Sequence, residues 1–352
     1  MATEPYADPL FEPGGRPGEA PPVPGALLGE GIEGRSPWYL AWRRLRRNRL
    51  ALGFGALFLV IVAFTLTAPL WATQVAHTGP NTNHLTDQIE IDGQPTDVVS
   101  TSGIPIGPGL HGEFLLGADG NGRDVMVRLM YGGRTSLYVA VMAAIGTTLL
   151  AILVGLLAGY YRGWVDAVLS RVMDVIWAFP VLLLGIALGT ALQLGGLKLG
   201  PIAIGESSLW IPIGIIGLVY VPYMARPIRG EILSLREKEF VEAAVAQGKG
   251  PLRIMFSELL PNVFSTIVVF FTLNIANNML LESALSFLGA GVRPPNASWG
   301  TQIAEGYELI YSAPHLTIIP GIMIVLTVLS LNVFGDGLRD ALNPRATIRM
   351  EH

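Results

Sequence analysis

The side chains with the most chemistry to offer are a few carboxylates and amides set inside long apolar runs. Glu282 and Asp174 each interrupt such a run, and Asn274, Asn277 and Asn278 recur at helical spacing ahead of Glu282. A carboxylate in a bilayer core is costly unless paired, hydrated or protonated, so these groups belong on a bundle interior or beside a water-filled path. Glu282 therefore has two readings, a translocation-pathway or gate residue and a structural hydrogen-bonding residue. Asp174 falls near the expected cytoplasmic end of its run, where water is close, which favours a structural role. The three asparagines can join helices or line a polar path, and the sequence leaves both uses open.

Covalent and metal chemistry find little support. The chain has no Cys, which removes disulfides, thiolate metal sites and Cys nucleophiles. His77, His84, His111, His315 and His352 show no metal-ligand spacing on an apolar helix, and no Gly-x-Ser-x-Gly elbow occurs. A membrane hydrolase or metalloprotease is thereby disfavoured. No G-x-x-x-x-G-K-[ST] loop is present either, so energy, if used, must come from elsewhere. The glycine-rich run from Gly117 to Gly122 could seat an anion at a helix start, but a tight turn before an interfacial helix accounts for it without a ligand.

A polar insert, Ser234 to Pro251 and on to Leu260-Pro261-Asn262, separates two apolar runs. Ser234 and Glu237 have the spacing of a capping box, and Gly248 with Gly250-Pro251 supplies a stop. A helix of about three turns is expected between them. Taken alone, the insert is a connector, as most loops between membrane helices are.

The elements that must position these residues follow from composition. With 51% hydrophobic residues, 14% charged residues and a mean hydropathy of +0.49, the 352-residue chain is an integral membrane protein. Six spans are expected, at residues 50–71, 136–160, 172–192 with a kink at Pro180, 209–225, 261–288 and 316–334. The first is an uncharged run of about 22 residues, too long for the apolar core of a signal peptide, and so is a retained helix. Gly146, Ala151, Gly155 and Gly159 in the second allow close helix packing.

Between and around the spans, residues 1–37 are rich in Pro, Gly and Glu and are expected to be a disordered tail. Residues 38–71 hold a basic segment, Arg43 to Arg49, and the first span. Residues 72–115 form a polar loop or small domain, in which the alternation at Ile89-Glu90-Ile91 is too short to fix a strand. The core covers 116–335, with the insert at 226–261 and a further extramembrane stretch at 291–314, and residues 336–352 form a tail. Of the 23 Lys and Arg residues, only Arg123, Arg128, Arg134, Lys198 and Arg293 fall on the side opposite the termini and insert. The positive-inside rule then places both termini and the insert in the cytoplasm and the 72–115 loop outside.

Several strings, in order, resemble one family. They are Leu116 to Leu137, Asp174 to Leu184, the segment Glu242-Ala243-Ala244 with Gly248 and Leu260-Pro261, Phe287 to Pro295 with Ser298-Trp299-Gly300, and Gly335 to Arg345. Together they resemble the C-type permease subunit of the dipeptide/oligopeptide/nickel ABC importer family. The resemblance implies an all-α, type I ABC importer permease fold with six transmembrane helices and a cytoplasmic EAA coupling loop. In that loop Glu242, Ala243, Ala244, Gly248, Leu260 and Pro261 would dock into an ATPase. Glu258 departs from the pattern, standing where the family has an apolar residue or His. The implied partners are a homologous B-type permease, two cytoplasmic ATPase subunits that bind ATP and Mg, and an external solute-binding protein.

On this resemblance the chain is a transport subunit of the bacterial inner membrane, not an enzyme and without a cofactor of its own. It would move dipeptides or oligopeptides inward by alternating access, with Glu282, Asn274 and Asn278 as candidate pathway or gate residues. Nickel chelates or another solute are the alternatives within the family. From other classes, a secondary transporter driven by protons through Glu282 and a channel or scaffold component remain as competing expectations.

Overall fold

The computed structural model describes residues 37–91, 93–109, 113–195, 197–199 and 202–342. The expected N-terminal tail, apart from Pro37, and residues 343–352 of the expected C-terminal tail lie outside the described residues.

Apolar runs that meet no water must satisfy their backbone internally, which a helix does within a single segment. The chain accordingly begins with a short helix α1 (Pro37–Leu45), then α2 (Arg49–Leu66) and α3 (Ala68–Gln74). Asn48 caps α2 by accepting from the Ala51 N–H, and Pro69 sits in the first turn of α3, where a missing N–H costs no bond. A small antiparallel hairpin follows, β1 (Gln88–Ile91) and β2 (Gln94–Asp97), with Ile89 opposite Thr96. The short alternation is thus a strand.

The central helix is α4 (Val125–Tyr161), at 37 residues about 55 Å long. It begins well before the expected start at residue 136, because its polar first turn is neutralised rather than broken. Asp124 caps it, accepting from Val127 N at 2.9 Å and Phe114 N at 3.0 Å. Burial pushes the Asp124 carboxyl pKa up, against the lowering effect of those backbone donors. Arg128, buried in the same turn, pairs with Glu305 at 2.7 Å and Asp119 at 3.3 Å.

The next two spans are broken. Helices α5 (Gly163–Trp177) and α6 (Val181–Gly195) meet at 85°, so the kink expected at Pro180 is a corner. A second antiparallel pair, β3 (Leu197–Leu199) and β4 (Ile202–Ile204), leads to α7 (Trp210–Val219) and α8 (Val221–Leu235), which meet at 41°. Helix α8 continues into the region expected to be polar insert because one face is apolar: Ile228 and Ile232 are fully buried against α4. Ser234 therefore lies in the last turn of α8 and does not cap the next helix, which corrects the expected capping box.

Beyond it come α9 (Glu239–Ala246), α10 (Pro251–Ile254), a π turn (Met255–Leu259) and α11 (Leu260–Phe287). The π turn directly precedes Pro261, where the helix loses a donor. Helices α12 (Trp299–Tyr307) and α13 (His315–Leu342) complete the fold. Helix α13 runs past the expected end at residue 334 because Gly335, Gly337 and Ala341 are buried and keep packing against the start of α2 and α11. The 291–314 stretch, expected to be extramembrane, packs onto the helix bundle. Its Trp299 is fully buried and donates Nε1–H to Leu129 O at 2.8 Å.

Four of these helices are long and apolar enough to cross a membrane, or six spans if each bent pair counts as one. Helix α4 packs against α2, α5, α7, α8 and α11, and α13 against α2, α11 and α12. The largest apolar core joins α4, α8 and the α9-to-α11 region through Leu156, Ile228, Ile232, Val241, Met255 and Leu259. A second joins α2, α4, α11, α12 and α13.

Candidate functional site

Helix α9 is the exposed element that this framework presents. It is eight residues long, about two turns, shorter than expected because it starts at Glu239 after an extended Lys238. Its end is set by Gly248, whose φ of +77° no side chain adopts easily. The Lys249 N–H bonds Ala244 O and the Gly248 N–H bonds Val245 O, the paired 6→1 and 5→2 pattern of a Schellman motif.

The faces of α9 divide cleanly. Val241 and Ala244 are buried against the chain's own core, whereas Glu242, Ala243, Val245 and Ala246 are exposed. Ala244, one of the expected docking residues, is buried and lets α9 lie close on the helices beneath it. A cavity of about 340 Å³ opens beside the exposed face, lined by Tyr160, Arg236, Val241, Glu242, Val245 and Ala246. Arg236 donates to Tyr160 O at 2.5 Å and stacks over the Tyr160 ring at 5.4 Å. Tyr160, Arg236 and Val245 were not singled out from sequence. Only the fold brings the end of α4 under α9.

Ion pairs fix this region to the bundle. Arg162 meets Glu237 at 2.5 Å, holding the exposed Glu237 carboxyl below its ordinary range. Arg229 forks onto both oxygens of Asp166 at 2.5 and 2.6 Å, and Arg226 pairs with Asp174 at 2.9 Å while lying over Trp177. Asp174 is therefore a half-exposed ion-pair partner between α5 and α8. Glu258 accepts from Lys249 at 2.7 Å, so the residue that departs from the family pattern ties the loop after α9 to the π turn. Leu260 packs on the main core and Pro261 is exposed at the start of α11.

The candidate pathway residues lie elsewhere, in the second half of α11. Glu282 is fully buried and accepts from Ser286 at 2.7 Å and Ser283 at 3.4 Å, with the side chains of Ser136 and Ser298 also bonded to it. It thus ties α4, α11 and the N-cap of α12 together. Asn278 donates to Ala140 O at 3.1 Å, while its Oδ1 and both amide atoms of the fully buried Asn274 have no partner among the described residues. None of the three lines the cavity beside α9, nor a cavity of about 690 Å³ between α2, α4 and Leu209.

The glycine-rich turn needs no anion. Asp119 Oδ1 already takes the Asn121 and Arg123 N–H groups, at 2.9 and 3.0 Å, and Arg123 closes on Asp119 and Glu305 at 2.7 and 2.6 Å. Among the described residues no group of three or more His, Asp or Glu side chains could hold a metal ion.

Comparison with known proteins agrees with this architecture. Residues 151–348 match the model for binding-protein-dependent transport system inner membrane components, and residues 36–89 match that for the N-terminal TM domain of oligopeptide transport permease C. The chain is 35% identical to the dipeptide transport system permease protein DppC of Alkalihalophilus pseudofirmus, covering 98% of this chain and 99% of that one. It is 33% identical to the glutathione transport system permease protein GsiD of Pectobacterium atrosepticum, over 88% and 92% of the two chains. Among solved structures, an inward-facing MetNI methionine ABC transporter chain superposes with a TM-score of 0.51 at 18% identity, covering 62% of this chain and 97% of that one. That last likeness is one of fold.

Proposed function

The chain belongs to the family of binding-protein-dependent transport system inner membrane components, in its C-type permease branch, and from that premise we propose that it carries peptides into the cytoplasm. It is a permease subunit of an ABC transporter and not itself an enzyme. The proposed cargo is a dipeptide, oligopeptide or peptide-like thiol, the classes named for its relatives. The proposed assembly pairs it with a homologous B-type permease, two cytoplasmic ATPases that bind ATP and Mg, and an external binding protein.

The observation that carries this reading is the split of α9. One face is locked into the permease core, and the other, with Glu242, Ala243 and Val245, is exposed beside a cavity. A lever needs both properties: a surface for a partner to push and a rigid connection to what must move. The connection runs through the Schellman end at Gly248, the Lys249–Glu258 pair and the π turn into Leu260, Pro261 and the rest of α11. Movement of a seated α9 would re-pack α8 and α11, shifting the bundle between outward- and inward-open populations. On this reading the alanines and Gly248 serve coupling, and Glu282, Asn274 and Asn278 serve the bundle interior through which cargo passes.

Because the chain has no Cys, a single cysteine at Val245 reports on one place. In inside-out vesicles, a membrane-impermeant maleimide should label Val245→Cys when the permease is expressed alone and fail to label it when the ATPases are present. Labelling only from the external side, or labelling that the ATPases do not reduce, would contradict both the topology and the docking role.

A further inference from the structure

The helix that precedes the first span is a second exposed surface, and peptide import makes no use of it. Helix α1 is docked on one face: Ala41 and Leu45, one turn apart, are buried, and Leu45 packs with Ala51 and Ala341 against Phe334 and Leu338 of α13. Its remaining surface is of two kinds. Tyr39 is 50% exposed, Trp42 51%, and Leu40 is exposed beside them. Arg43, Arg46, Arg47 and Arg49 are exposed too, Arg46 lies over the Trp42 ring at 4.8 Å, and Arg44 is half-buried in the same run. The acidic groups on the helix packed against it are Asp336 and Asp340, accompanied by Arg339, so the local balance stays strongly cationic.

In water such aromatic exposure beside such charge density is unfavourable on both counts. At the surface of a bilayer it is favourable on both, because rings sit at headgroup depth and guanidinium forks match phosphate oxygens. The turn at residues 46–48, closed by Arg47 N–Arg44 O and Asn48 N–Leu45 O bonds, makes α1 a separate helix at the mouth of α2. The geometry points to α1 as an interfacial helix whose arginine cluster binds the phosphate headgroups of anionic lipids, a binding site distinct from the α9 surface. It does not depend on the cargo or on ATPase docking.

The test uses the intact permease complex in phosphatidylcholine bilayers with trace spin-labelled phosphatidylglycerol or spin-labelled phosphatidylcholine. The wild type should immobilise the anionic probe preferentially, and raising the salt tenfold should remove the preference, since exposed headgroup pairs are screened. Arg43→Gln/Arg46→Gln/Arg47→Gln should lower the preference severalfold, while Arg43→Lys/Arg46→Lys/Arg47→Lys keeps most of it. Equal immobilisation of both probes by the wild type overturns the inference. So does a preference that survives high salt, one that the Gln variant retains, or one that appears only after residues 2–34 are removed, which would assign the arginines to the acidic N-terminal segment.

Discussion

At Gly248 the backbone turns through φ +77° with no atom of any described residue beyond its two chain neighbours within 4 Å of where a Cβ would stand. The two possible costs of a substitution are therefore separable. Gly248→Ala adds only conformational strain, about 1–2 kcal/mol, and is expected to lower the thermal midpoint slightly while leaving most uptake intact. Gly248→Asp adds bulk and charge on a face that is open in this chain, and is expected to insert normally but uncouple transport. Wild-type uptake and wild-type substrate-stimulated ATPase activity in vesicles containing Gly248→Asp would show that nothing seats on this surface. Asn274 makes the complementary case inside the bundle. Its buried amide has no partner among the described residues, a state that costs about 1–3 kcal/mol. Asn274→Leu is accordingly expected to raise the thermal midpoint of the purified complex. A fall would mean that the amide has a partner supplied by another subunit or by water.

Between elements, the most extensive packing is that of α4 on α8. A Cβ at Gly155 would stand 2.6 Å from Ile228 Cγ2, and one at Gly159 2.7 Å from Ile232 Cγ2. Gly159→Val should thus push α8 away and cost about 1–3 kcal/mol, read as a lower thermal midpoint, and Ile232→Ala in the same chain should recover part of it. A double variant no better than Gly159→Val would mean that the helices do not meet here. This contact also shows what could and could not be read from sequence. Apolar length revealed the spans, and small residues at Gly155 and Gly159 revealed that something packs closely. The partner stayed hidden because Ile228 and Ile232 lie in a stretch whose Arg226, Arg229 and Glu231 read as polar insert; a helix with one buried face and one charged face looks like a loop when only charge is counted. The burial of Trp299 was hidden for a related reason, since Pro294-Pro295 and Ser298 read as loop while the capping box of Ser298 and Thr301 starts a helix with one buried face. Within the candidate site, Glu242, Ala243 and Gly248 were visible as a string. Tyr160 and Arg236 came only with the fold, because the contact is between residues 76 apart in the chain.

On the scale of the whole molecule, the proposed coupling makes the parts one transmission. On that proposal α9 offers an outer face, its inner face and the Lys249–Glu258 pair would pass displacement to the π turn, and α11 would carry it to the Glu282–serine cluster that joins α4 and α12. No nucleotide-binding loop occurs in the chain, and under the proposed coupling the force enters through the outer face of α9. The competing account, proton-driven transport through Glu282, requires no such face. The two separate most directly in sealed vesicles containing the complete complex, with ATP supplied or withheld and the proton gradient intact or collapsed. The coupling account predicts peptide uptake that requires ATP and persists when the proton gradient is collapsed; uptake that persists without ATP and disappears with the gradient would contradict it.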